Sequence, residues 1–223
     1  MIKALRKWGN SYTERGRYSP VGIAFHWIMA ALVLFQLALG FWSDIATPGG
    51  DKVRAYQVHS AVGLPILLLA TLRGFWRILI PGPENDADSL GAQTKLAHVT
   101  HILFYVCFFG LPLSGWAMWS SIATPGPLYL AGVLPWPQLP LEALGDGQRY
   151  AVLQSAELVH RYLVILLLVL IPAHVAAALK HHFWDRHDVL RGMLPEIPDS
   201  EDARADETHK PREPRFPMGS EVG

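Results

Sequence analysis

The stretch LVHRYLVILLLVLIPAHVAAALK, residues 158–180, decides the fold. It is long and apolar enough to cross a hydrocarbon core of about 30 Å, yet it carries two histidines, His160 and His174, fourteen residues apart. At 1.5 Å and 100° per residue, they stand about 21 Å apart along one helix and within about 40° of the same face. An ionisable side chain at such depth is costly and is usually retained for function. One helix thus offers an imidazole at each of two levels.

Three further spans are expected upstream: Gly22 to Trp42, Val58 to Ile80 and His98 to Ser120, with Leu158 to Lys180 as the fourth. The chain of 223 residues is 51% hydrophobic, only 17% charged and formally neutral, a composition that points to a membrane protein. The single cysteine, Cys107, excludes an intramolecular disulfide and the C-x-x-C-H attachment of a covalently held haem. Cys107 itself reads as a small hydrophobe. The basic start, MIKALRKWGNSYTERGR, leads into a span too long for a signal-peptide core, so it reads as part of a retained anchor. Nothing in the charge pattern calls for a nucleic-acid partner; the expected surroundings are the lipid bilayer.

Lysines and arginines set the orientation. Lys3, Arg6, Lys7, Arg15 and Arg17 precede the first span, Arg73, Arg77 and Lys95 surround the second connection, and Lys180, Arg186 and Arg191 follow the fourth span. The other side has Lys52, Arg54, Arg149 and Arg161. The positive-inside rule then places both termini in the cytoplasm. Trp8, Trp27, Trp42, Trp76, Trp119 and Trp184 fall near span ends, as interfacial aromatics do. We expect three regions: a cytoplasmic segment 1–20, a transmembrane domain 21–194 and a disordered cytoplasmic tail 195–223, which is rich in charge and proline. The proline-rich stretch 121–156, too broken to span, reads as an external cap over the bundle mouth.

With this topology, His26 lies near the cytoplasmic start of the first span and matches His174 in level. His59 lies near the external start of the second and matches His160. The fold class is therefore all-α, a four-helix transmembrane bundle, and four histidines at two matched levels suit two stacked haems, each held between two imidazoles. His98 and His101 share a face of the third span and are rivals to His26 or His174. His181, His182 and His187 read as surface residues.

The motifs YSPVGIAFHW, QVHSAVG, KLAHVTHILFY, GLPLSGWAM, LVHRY and AHVAAALKHHF together resemble the prokaryotic cytochrome b561 family, di-haem membrane proteins of the respiratory chain. The likeness runs from about Tyr18 to Leu194. It implies two non-covalent haems b per chain with bis-histidine coordination, His26 and His174 on one iron and His59 and His160 on the other. It also implies a multi-pass protein of the bacterial inner membrane that exchanges electrons with the quinone pool, with ubiquinone as acceptor. Within the family some members oxidise superoxide to oxygen on the external side. Related di-haem proteins instead anchor a hydrogenase or dehydrogenase and pass its electrons to quinone, so a redox partner protein is the alternative donor.

Four positions bear on the cofactor. Gly63, one turn from His59, and Gly110 and Gly115, which flank Pro112, leave room for either a neighbouring helix or a porphyrin face. Arg73 sits deeper than Arg77 and either snorkels to the headgroups or pairs with a propionate of the inner haem. At the external mouth, Lys52, Arg54, Arg149 and Arg161 favour an anion. Asp44, Asp51, Glu142, Asp146 and Glu157 on the same side oppose them.

Overall fold

A computed structural model describes residues 2–83, 91–122, 126–185 and 189–194. Among these residues six α-helices follow one another: α1 (Ile2–Thr13), α2 (Pro20–Ile45), α3 (Gly50–Leu79), α4 (Ala92–Ser121), α5 (Asp146–Phe183) and the short α6 (Val189–Gly192). α2, α3, α4 and α5 are each long and apolar enough to cross a membrane. The expected four-helix transmembrane bundle is the observed architecture. Arg186, His187 and the tail expected to be disordered lie outside the described residues.

The helices overrun the apolar spans because caps, not hydropathy, set their ends. Ser19 Oγ accepts from the Gly22 amide at 3.3 Å, and Pro20 at the first helical position has no amide to satisfy. α5 begins twelve residues before Leu158, where the fourth span was expected to start. The Gly145 amide donates to Gln148 Oε1 at 3.3 Å, and the added turns carry Gln148, Arg149, Gln154 and Ser155, which a hydropathy window passes over. A further helix, α1, forms within the basic amino-terminal segment.

α4 packs along α5, α2 along α3, and α3 against α4, whereas the backbones of α2 and α5 scarcely approach. The shared core consists of Met29 and Val33 from α2, Ile66 and Ala70 from α3, Cys107 from α4, and Leu167 and Leu170 from α5. Cys107 is fully buried, in keeping with its reading as a small hydrophobe. Gly110 permits the α4–α5 contact: a Cβ there would sit 2.5 Å from Leu163 Cδ1. Large apolar side chains such as Phe75, Ile78 and Tyr162 remain exposed around the outside, the surface that lipid tails cover.

At one end, called here the terminal end, the chain closes on itself. The Tyr18 amide donates to Gly192 O at 3.2 Å, Arg17 Nη2 to Leu194 O at 2.9 Å and Trp27 Nε1 to Met193 O at 2.8 Å. Just past α5, Asp185 is paired with Lys180 at 2.8 Å and His181 at 2.7 Å. Hydrogen bonds from both hold its carboxyl below the ordinary 3.8.

The opposite end carries the cap. Within it β1 (Leu128–Leu130) and β2 (Leu134–Trp136) form an antiparallel hairpin. Its turn has positive φ at both Ala131 (52°) and Gly132 (73°), the conformation of a primed hairpin turn. Pro65, inside α3, has no amide to offer the carbonyl four residues back, which belongs to Ala61. That carbonyl accepts from the Ala131 amide instead, at 3.0 Å. The Trp116 indole donates to Pro137 O at 2.9 Å, Trp119 donates to Gly126 O at 2.9 Å, and the Leu139 amide donates to Ser120 Oγ at 3.0 Å. The cap is thus tied to both α3 and α4.

Candidate functional site

His59 on α3 and His160 on α5 face each other near the cap, with ring centroids 6.3 Å apart and planes at 63°. Near the terminal end, His26 on α2 and His174 on α5 are also 6.3 Å apart, with planes at 53°. Between the two pairs lies the aliphatic core, with Leu167 midway between His160 and His174 along α5. The structure therefore brings His59 to His160 and His26 to His174, with His101 equally close to His174.

In the cap-side pair, the neighbouring helices shape the pocket with glycine. A Cβ on Gly115 would lie 3.7 Å from His160 Cε1, and one on Gly40 would lie 3.5 Å from His59 Cε1. Both are ordinary contacts, so an imidazole alone does not demand glycine; the bare backbone leaves a flat space beside each ring. Gly63 faces a different neighbour, since its Cβ would stand 3.0 Å from Gln36 Nε2. Gln36 and Gly40 carried no sequence signal of their own. They line up with His59 only once α2 is packed on α3.

Ser114 makes the most informative polar contact. Its Oγ donates within its own helix, with Gly110 O at 2.7 Å and Leu111 O at 3.0 Å. With its proton so used, the oxygen is placed to accept from His160 Nδ1 at 3.0 Å, and the same ring is also hydrogen-bonded to the Leu111 backbone, whose only acceptor is its carbonyl. Nδ1 then carries the ring proton, and Nε2 keeps a free lone pair for a metal. His59 differs. Its Nδ1 and the nearby Gln36 Oε1 are buried without partners, while Gln36 Nε2 donates to His59 O at 2.8 Å. Buried unsatisfied polar atoms are rare and signal a missing partner.

The terminal-side pair has more company. The His101 ring on α4 lies 6.0 Å from His174, and Phe104 packs edge-on at 5.3 Å. His101 Nδ1 is bound to Ala97 O at 2.7 Å, and His98 is exposed. His101 therefore stands as near His174 as His26 does. Arg73, half-buried on α3, lies within electrostatic reach of His26, His101 and His174 and beside Tyr105. Its partner Arg77 packs over the Tyr18 ring at 5.2 Å.

Both pairs have the spacing for one metal between two imidazoles. Two metal–nitrogen bonds of about 2.0–2.1 Å plus two ring radii come to about 6 Å. Among the described residues no group of three or more His, Cys, Asp or Glu is arranged to hold a metal. A metal held here by two axial imidazoles needs its remaining ligands from another group, as the planar ring of a haem provides. The wide α2–α5 side and the glycine-lined space by each cap-side ring suit such a plate.

Residues 17–196 match the family model described as prokaryotic cytochrome b561. A protein of Escherichia coli K12, "Cytochrome b561 homolog 2", is 31% identical over 180 residues, covering 80% of this chain and 91% of the relative. "Probable superoxide oxidase CybB" of Yersinia pestis is 27% identical over 184 residues, 80% of this chain and 96% of the relative. "Cytochrome b561 homolog 1" of Escherichia coli K12 is 25% identical, with 80% and 97% covered.

Proposed function

The chain belongs to the prokaryotic cytochrome b561 family, haem b proteins of bacterial membranes, and from that membership we propose that it holds two haems b and carries electrons through the bilayer to a quinone. The observation that carries this reading is the repetition of one geometry at two levels, imidazole pairs with the same 6.3 Å separation. His59 and His160 would hold the cap-side haem, and His26 and His174 the terminal-side haem. His101 is a neighbour of the second site. It shares α4's side of the bundle, whereas His26 reaches across the gap between α2 and α5.

Each haem supplies a one-electron Fe(III)/Fe(II) couple. The chain does the rest. Ser114 fixes the tautomer of His160, Gly40 and Gly115 keep the cap-side space flat, and Arg73 sets a cation beside the terminal-side pair for a propionate. The aliphatic core keeps water out between the levels. The lysines and arginines at the terminal end orient it toward the cytoplasm, with the cap outside the inner membrane.

Superoxide is the donor we propose, in keeping with the name of the Yersinia relative. Each superoxide gives up one electron and leaves as oxygen; two such electrons and two protons convert ubiquinone to ubiquinol. Of the cap-side cations, Arg149 is already engaged, with Nη2 donating to Ile122 O at 2.6 Å. Lys52 lies 5.9 Å from the Tyr56 ring. The field for an anion is therefore local.

The test is stoichiometry followed by spectroscopy. Pyridine haemochrome analysis of the detergent-purified chain should give two protohaems per polypeptide, six-coordinate and low-spin. Superoxide should then reduce them and added ubiquinone reoxidise them. One haem per chain, or a high-spin signal, removes one histidine pair from the scheme. Haems that superoxide leaves oxidised remove the donor.

A further inference from the structure

The family match begins at residue 17, so helix α1 lies outside the stretch that the family model covers. Its sequence is amphipathic. Ile2, Leu5, Trp8 and Tyr12 recur at helical spacing on one side, and Lys3, Arg6 and Lys7 cluster on the other.

The apolar side is seated on the last turn of α3. Gly9 is pressed so closely to Ile80 that a Cβ would stand 2.5 Å from Ile80 Cγ2. Trp8 meets Trp76 edge-on at 6.4 Å. Arg6 Nε donates to Leu79 O at 3.3 Å, and Thr13 Oγ1 donates to Pro81 O at 3.2 Å. α1 is thereby fixed where α3 leaves the hydrocarbon, level with an interfacial tryptophan. Even so docked, it leaves Ile2 60% and Trp8 38% exposed.

The polar side forms a shallow groove lined by Lys3, Arg6, Lys7, Asn10, Ser11 and Glu14. Three cations at i, i+3 and i+4 meet one carboxylate there, Glu14, a further two turns along. Exposed apolar side chains beside a net positive groove at the level of the headgroups match an amphiphile with a negative head. We propose that α1 lies in the membrane interface and binds anionic phospholipid, its phosphate in the groove of Lys3, Arg6 and Lys7 and its acyl chains against Ile2 and Trp8. Free phosphate offers the same charge but nothing for the apolar residues, which is why the lipid is the fitting occupant.

The test uses the full chain purified in neutral detergent at low salt. Thermal unfolding is followed during separate titrations with phosphatidylglycerol, phosphatidylcholine and inorganic phosphate. Phosphatidylglycerol should stabilise the protein at concentrations where the other two do not, and 0.5 M salt should suppress the effect, because exposed charges are then screened. Each cation near a surface is worth about fivefold in binding. The double variant Lys3→Gln/Lys7→Gln should therefore need about 25-fold more phosphatidylglycerol for the same shift. Arg6 is left intact because its Nε helps hold α1 to α3. A second variant, Gly9→Leu, keeps every cation but lifts α1 off Ile80, and it too should lose the preference. Equal shifts with phosphatidylcholine, an unchanged response in the double variant, or full stabilisation by inorganic phosphate alone would each overturn the proposal.

Discussion

Removing the Ser114 hydroxyl should weaken one haem and spare the other. In Ser114→Ala the backbone loses nothing essential, because Gly110 O and Leu111 O lie within a continuous helix that supplies its own amides. His160 Nδ1–H, however, loses the hydroxyl oxygen at 3.0 Å and keeps only the Leu111 carbonyl, in a pocket where Ser114 itself is only 7% exposed. One hydrogen bond lost from such a pocket costs about 0.5–1.5 kcal/mol. Loss of the partner behind a metal-bound histidine lowers metal affinity about 10–100-fold, which corresponds to about 1.4–2.8 kcal/mol. The two ranges meet at about 1.4 kcal/mol, so cap-side haem retention should fall by about tenfold. The ring should also become a poorer electron donor to iron, which raises the potential of that haem. Ser114→Thr keeps a hydroxyl able to make the same bonds and should restore both. The assay is haem transfer to excess apomyoglobin, read together with a redox titration that resolves the two haems. Equal loss from both haems, or an alanine variant that retains haem like the parent while threonine does not, would refute the reasoning.

The remaining expectations concern separate parts of the molecule. His26→Ala and His174→Ala should each remove the terminal-side haem, and His59→Ala and His160→Ala the cap-side haem, so that redox titrations fall into two classes. A His101→Ala protein that lost a haem while His174→Ala kept it would transfer the ligand role to α4. Arg73→Gln should lower the potential of the terminal-side haem alone, because a lost cation disfavours the added electron; equal shifts at both haems would reduce Arg73 to a headgroup anchor. Pro65→Ala returns an amide that competes for Ala61 O. Hydrogen exchange at Ala131 should quicken by about fivefold, as expected for a bond worth about 1 kcal/mol, and unchanged protection would mean that the cap is held elsewhere. The Asp185 carboxyl, depressed by Lys180 and His181, contributes stability that is present above its unfolded value and lost as pH falls through the lower folded value. Its resonance should titrate below 3.8, and in Lys180→Met/His181→Phe the midpoint should return to 3.8.

The spans were legible because an apolar run of that length fits little besides the hydrocarbon of a bilayer. The two imidazole levels were legible because α5 carries both members of a fourteen-residue spacing. Helix ends were not legible to the same degree. The extra turns from Asp146 are polar, and only the Gln148 cap marks their start. α1 was hidden by its charge, although Ile2, Leu5, Trp8 and Tyr12 already showed the helical period. The cap hairpin was masked by prolines and by a turn that places alanine, not asparagine or a second glycine, at a positive φ. Ser114 and Gln36 had no pattern to betray them. A serine in a membrane helix ordinarily satisfies itself on its own turn, as Ser114 does, and its second role depends on a residue forty-six positions away. Depth alone could not separate His26 from His101, since both lie at the level of His174. The packed structure also leaves them at similar distances from it.

The seven side chains between the two imidazole levels have an electrical consequence. Met29, Val33, Ile66, Ala70, Cys107, Leu167 and Leu170 include no carboxylate, amine or imidazole, so among the described residues this core offers no such group to relay a proton. In the proposed two-haem arrangement, an electron tunnelling through this layer would travel uncompensated, and the protein would work as a conductor set in a capacitor. In the proposed orientation, with the cap outside and the termini inside, each inward transfer would oppose a membrane that is negative within. A full crossing costs about 2.3 kcal/mol per 100 mV. The rate at which the outer site drains should then respond to membrane voltage, slowing as the membrane is energised and quickening when an uncoupler discharges it.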